Sequence, residues 1–171
     1  MGNGNVNLYH FTIYMKLTLS DSGLELIKSF EGFIPHTYID PVGIPTIGYG
    51  STMYQDGTKP KQGELISEQD ARNLLLWGVK MRASATGPEI LRALNQNQVD
   101  AVLSLVYNIG VGAFRKSSVL KLINRNTMDP EIRTAFMMWN KGHVDGKLVE
   151  IPALTARRKK EADLYFTPVK I

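Results

Sequence analysis

The chain has 171 residues, 43% of them hydrophobic and 21% charged, with a formal charge of +4 and no cysteine. That length suits one domain able to bury its own core, and the composition is globular, not disordered. Disulfides and cysteine-ligated zinc or iron–sulfur sites are excluded. The charge is uneven: residues 1–114 carry 8 basic and 10 acidic side chains, and residues 115–171 carry 12 and 6. A basic second part fits an anionic partner such as nucleic acid, a membrane surface or a cell-wall polymer, and equally fits a solvated basic face.

In chain order, residues 1–16 read as a flexible N-terminal extension ahead of a single domain over 17–171. Val6 to Met15 is mildly apolar, but Asn7, His10 and Thr12 interrupt it, and it lacks the length of a membrane span and the flanks of a signal peptide. A helix follows Ser20 through Leu24, Ile27 and Phe30, with Ser22 and Glu25 spaced as a capping box. Gly32 stops it, which leaves Glu31 at its C-terminus. Residues 33–63 change texture. Thr37-Tyr38-Ile39 and Thr46-Ile47-Gly48-Tyr49 predict a small sheet of two or three strands, turned at Asp40-Pro41-Val42-Gly43. The Gly48-Tyr49-Gly50 run marks a place where backbone comes close to a neighbour.

Helices dominate the remainder. Ser67 starts one that runs to about Arg82, and Pro88 opens a short one. Asn95 caps a helix apolar around most of its circumference, which is the mark of a buried helix; Gly110-Val111-Gly112 ends it. Ser117 or Ser118 caps the next. Asp129-Pro130 opens another that reaches Trp139. Asp145-Gly146 predicts a tight hairpin between His143 and Ile151, and Pro152 opens a final helix. The expected class is α+β, with a small antiparallel sheet lobe, a larger helical lobe and a cleft between them.

The chemistry concentrates on Glu31, Asp40 and Thr46. Glu31 sits among Phe30, Gly32 and Phe33 at the negative end of a helix, and both features would raise a carboxyl pKa. Asp40, in a polar turn, stays ionised. Two carboxyls in unlike surroundings are what glycoside hydrolysis uses, one as acid and one as base or nucleophile. On spacing alone this remains weak: a solvated helix end and a turn aspartate bonding its own backbone explain the same residues. No nucleophile elbow, phosphate-binding loop or zinc-protease helix is present. His10, His36 and His143 show no metal-ligand spacing, so neither metal nor cofactor is expected.

Longer strings are more specific. Ser29-Phe30-Glu31-Gly32-Phe33, then Tyr38-Ile39-Asp40-Pro41-Val42-Gly43-Ile44-Pro45-Thr46-Ile47-Gly48-Tyr49-Gly50, resemble the bacteriophage lysozyme (endolysin) family. So do Asn97 through Gly110, Gly112-Ala113-Phe114 with Ser117, and Phe136, Trp139, Leu154, Arg157-Arg158 and Glu161. The likeness covers about Leu17 to Phe166.

The resemblance implies a lysozyme-type glycoside hydrolase cleaving the β-1,4 bond between N-acetylmuramic acid and N-acetylglucosamine. Glu31 would be the general acid, Asp40 the base or nucleophile, and Thr46 the residue that positions water. Tyr107, Asn108, Ser117 and Thr52 become candidate saccharide contacts. It further implies peptidoglycan as partner, residence in the host cytoplasm until lysis, a holin for access to the wall, and a monomer. Where many relatives carry His after the Gly-Tyr-Gly strand, this chain has Ser51, which puts a stabilising ion pair in doubt.

Two rival readings are a lytic transglycosylase and a non-enzymatic binder of an anionic polymer. No DNA-reading motif accompanies the basic residues, so nucleic acid is not expected as a partner. In the run Arg157-Arg158-Lys159-Lys160, helical phase with Leu154 and Glu161 turns Arg157 inward, and the rest are expected to be mainly solvated or structural. The basic surplus is thus expected to lie on the helical lobe, away from the acids.

Overall fold

The structure, a computed structural model, describes residues 16–169. The expected N-terminal extension, Lys16 apart, lies outside the described residues. In chain order the elements are α1 (Asp21–Glu31), β1 (Ile34–Ile39), β2 (Pro45–Gly48), α2 (Glu68–Thr86), a 3-10 turn (Gly87–Glu89), α3 (Gln96–Ile109), α4 (Val111–Arg115), α5 (Ser118–Arg125), α6 (Glu131–Met137), β3 (Lys141–Val144), β4 (Lys147–Glu150) and α7 (Pro152–Phe166). This is the expected α+β class. No described helix is long and apolar enough to cross a membrane.

The core forms around α3, which packs against α1, α2, α4 and α7. Every residue from Gln98 to Val106 is buried. The helix begins as its sequence announces, with the Asn95 side chain accepting from the Gln98 backbone and the Gln98 side chain accepting in return from the Asn95 N–H. That reciprocal pair satisfies two otherwise orphaned donors. Asp100 and Ser104 are polar on this buried helix because each serves a neighbour. Asp100 accepts from the Ser20 backbone and hydroxyl and from Gln96, and Ser104 donates to Glu161.

Two local readings, at the start of α1 and the end of α6, need correction. The cap of α1 is Ser20, not Ser22: its hydroxyl accepts from the Gly23 N–H, and Asp100 holds it in place. α3 ends before Gly110 as expected, and α4 starts at Val111, with Gly110 (φ +83°) between the two helices. The helix after Pro130 stops at Met137, before Trp139.

β1 and β2 pair antiparallel, with Tyr38 opposite Thr46 and Ile39 opposite Pro45. A backbone bridge joins Ile47, near the end of β2, to Ser51. β3 and β4 form a separate hairpin in regular register. Asp145 (φ +50°) and Gly146 (φ +75°) supply the two left-handed residues of its turn.

Candidate active site

Glu31 is the last residue of α1, because Gly32 (φ +69°) takes a conformation that closes the helix. Its side chain is only 19% exposed, and its Oε1 accepts from Arg157 Nη1 at 2.7 Å. Arg157 comes from the first half of α7 and is itself 5% exposed. Its Nη2 donates to the Ser104 carbonyl, its Nε donates to Glu161, and its guanidinium lies 4.8 Å from the Phe30 ring centroid. The site therefore joins the end of α1 to α3 and α7.

The sheet supplies the other wall. A Cβ placed on Gly50 (φ +78°) would lie 3.2 Å from Glu31 Oε2, so glycine lets the backbone approach the carboxyl. A Cβ on Gly48 (φ +65°) would lie 2.8 Å from the Ala71 Cβ, which docks the strand on α2. Both agree with the close approach expected of the Gly48-Tyr49-Gly50 run. Tyr107 on α3 donates its hydroxyl to the Tyr49 carbonyl at 3.0 Å and has Arg82 4.6 Å from its ring centroid. Burial, and then the charge of Glu31, pushes its phenol up to about 12.

Asp40 ends the first strand of that hairpin. Its Oδ1 accepts from the Val42 N–H at 2.9 Å and the Ile44 N–H at 2.8 Å, so it does shape its own turn. Tyr38 links the two acids. Its phenol is raised by burial, then by the charges of Glu31 and Asp40. Thr46 is the cross-strand partner of Tyr38, and such partners project to one face of a sheet. Thr46 is buried, with its hydroxyl donating to the Ile44 carbonyl.

The other candidates divide. Asn108 is exposed, and its Oδ1 accepts from Arg158 Nη2 at 2.6 Å, which ties it to the arginine cluster. Ser117 caps α5, accepting from the Leu120 N–H and donating to the Phe114 carbonyl, so its bonds stay within its own turn. Thr52 is exposed beyond the Ile47–Ser51 bridge. Ser51 is buried, and its backbone exchanges two hydrogen bonds with Ile47. Backbone pairing therefore fastens Ser51 to the end of β2.

A family model described as phage lysozyme matches residues 28–161. The chain belongs to the phage lysozyme family. An endolysin of Acyrthosiphon pisum secondary endosymbiont phage 1 is 35% identical over 86% of this chain and 97% of its own length. Among solved structures, the endolysin from Escherichia coli O157:H7 phage FAHEc1 superposes with a TM-score of 0.82 at 38% identity, covering 91% of this chain and 96% of that one. The muramidase domain of SpmX from Asticaccaulis excentricus gives 0.79 at 32% identity, covering 88% and 99%.

The basic run departs from expectation. Arg157 turns inward as its phase predicts, but Arg158 is also wholly buried, and both pair with Glu161. Lys159 and Lys160 are exposed. The expectation that the basic surplus lies away from the acids fails at Arg157, which contacts Glu31 directly. Sequence reasoning also passed over Tyr38 and Arg158. The available signal was Glu161, an acid at helical spacing from both arginines.

Proposed function

We propose that the chain is a muramidase, hydrolysing the β-1,4 bond between N-acetylmuramic acid and N-acetylglucosamine. Membership in the phage lysozyme family carries the broader activity, degradation of peptidoglycan. The observation that supports the finer reading is the joint itself. Glu31 closes α1 against the sheet, Asp40 stands on the turn of that sheet, and Tyr38 feels the charge of both. In this reading Glu31 protonates the leaving glycosidic oxygen. Asp40 activates water or attacks the anomeric carbon, and Thr46 helps place the water. Tyr107 and Asn108 border the same region and contact the saccharide, with Thr52 and Ser117 further out. Access to the wall from the host cytoplasm depends on a holin, and the working unit is a monomer.

The test is clearing of outer-membrane-permeabilised Gram-negative cells, followed by mass spectrometry of the released fragments. Reducing muramic ends are expected. Fragments ending in 1,6-anhydromuramic acid would reassign the chain as a lytic transglycosylase, and no clearing would sink both readings. An anionic-polymer binder without enzymatic activity is disfavoured by the arginines that point inward, which leave much of the basic run unavailable to a polymer.

A further inference from the structure

Glu31 belongs to a longer chain of charges than a single ion pair. Arg157 bridges Glu31 and Glu161, through Nη1 to Glu31 Oε1 at 2.7 Å and through Nε to Glu161 Oε1 at 3.0 Å. Arg158 places Nη1 3.1 Å from Glu161 Oε2 and extends Nη2 to Asn108 Oδ1. Ser104 fixes the remaining side of Glu161, donating to Oε1 at 2.6 Å. Two acids and two arginines alternate, and Arg158 and Glu161 are fully buried.

We infer that Glu161 is a positioning residue: its negative charge offsets the guanidiniums beside Glu31, so that Glu31 can hold a proton there, while its two oxygens aim one arginine at Glu31 and the other at Asn108. This deepens the proposed function and rests on Glu31 being the acid. Two arginines near a carboxyl favour its ionised form, which opposes a general acid that must arrive protonated. A buried counter-charge removes that conflict where water and salt screen little. The Arg158–Glu161 contact has the character of charge pairing, since Arg158 Nη1 and Glu161 Oε2 lie in contact range without a well-aligned hydrogen bond. Burial pushes the Glu161 carboxyl up, opposed by Arg158, Arg157 and Ser104. Burial pulls Arg158 down to about 10, still far above neutrality.

The groups around Glu31 are few. α7 presents Arg157 and the charge of Arg158. β1 presents Tyr38, and α3 presents Tyr107, itself backed by Arg82 from α2. Asp40 acts on Tyr38 from the turn. Lys160 stands over the Phe30 ring at 5.6 Å. Lys28, one turn back in α1, is engaged by Glu25 and lies 3.7 Å from Glu68. Of the groups named, only Glu161 joins both arginines.

The experiment measures kcat and KM against pH on purified peptidoglycan for the wild type, Glu161→Gln and the double variant Arg158→Gln/Glu161→Gln. Glu161→Gln leaves Glu31 as the one carboxylate of the network beside two guanidiniums, so the alkaline limb of kcat should move to lower pH by about one unit, with kcat falling more than KM changes. The double variant removes one charge of each sign and should return the limb toward the wild-type position. A folded Glu161→Gln whose limb does not move overturns the inference, because lost packing alone lowers activity equally at every pH. If Glu161→Gln does not fold, carbon-detected NMR of the wild type decides. A Glu161 carboxyl that stays ionised while the limb titrates supports the inference, and one that is protonated throughout overturns it. Glu31→Gln separates the two levels. If it retains activity, the reading of Glu31 fails; if it is inactive while the Glu161→Gln limb is unmoved, only the role of Glu161 fails.

Discussion

The β1–β2 hairpin and the α3–α7 seam hold their acids in opposite ways. Asp40 is fixed by backbone N–H groups two and four residues away, on a turn whose tip is exposed. Glu31 is fixed by an arginine 126 positions later, and that arginine by a carboxylate with no exposure at all. The hairpin's device is local and tolerant of solvent. The seam's device is long-range and buried, so removing one member leaves a charge that water cannot reach. In the proposed reading, glycoside hydrolysis needs two carboxyls in unlike states, and Glu31 and Asp40 are held by unlike means.

The comparison breaks most readily at the seam. Glu161→Ala leaves Arg157 and Arg158 without their shared partner and should cost about 3–5 kcal/mol in urea unfolding. Gly48→Ala comes next. It puts a side chain on a left-handed residue and drives its Cβ into Ala71, with an expected loss of about 2–4 kcal/mol. The seam should also show an alkaline weakness. The Tyr107 phenol is raised from its ordinary 10 to about 12, so folding favours its protonated form. Its stabilising contribution is complete below pH 10 and is lost as pH rises from about 10 to about 12. Urea midpoints should fall across that window, and Tyr107→Phe should flatten the fall. The smallest effect on stability belongs to the turn of the hairpin. Asp40→Asn keeps an Oδ1 to accept from Val42 and Ile44, so stability should change by no more than about 1 kcal/mol, while turnover drops sharply.

The same contrast explains what the sequence revealed. The Asn95 cap, the cap at Ser117 or Ser118, Asp145-Gly146 and Pro152 all act within a few residues, and each was legible from local sequence. Ser20 was passed over in favour of Ser22 because its claim rests on Asp100, a contact that no local pattern announces. For Arg158 the reading stayed open between a solvated and a structural role, for a related reason. A basic run on a helix usually faces water, and only the packing of α7 against α3 makes the cluster a buried one. Asp40 and Glu31 were both found as candidates, but the partner of Glu31 was not. Helical phase turned Arg157 inward without saying that it meets Glu31.

In the proposed function the Glu31 carboxyl at this joint performs the chemistry. The most direct measurement is turnover of purified peptidoglycan by Glu31→Gln, with thermal unfolding recorded on the same sample. Loss of an acid catalyst predicts a fall in kcat of about 100- to 10,000-fold in a protein that still unfolds cooperatively. A folded Glu31→Gln that turns over substrate at close to the wild-type rate would contradict the account.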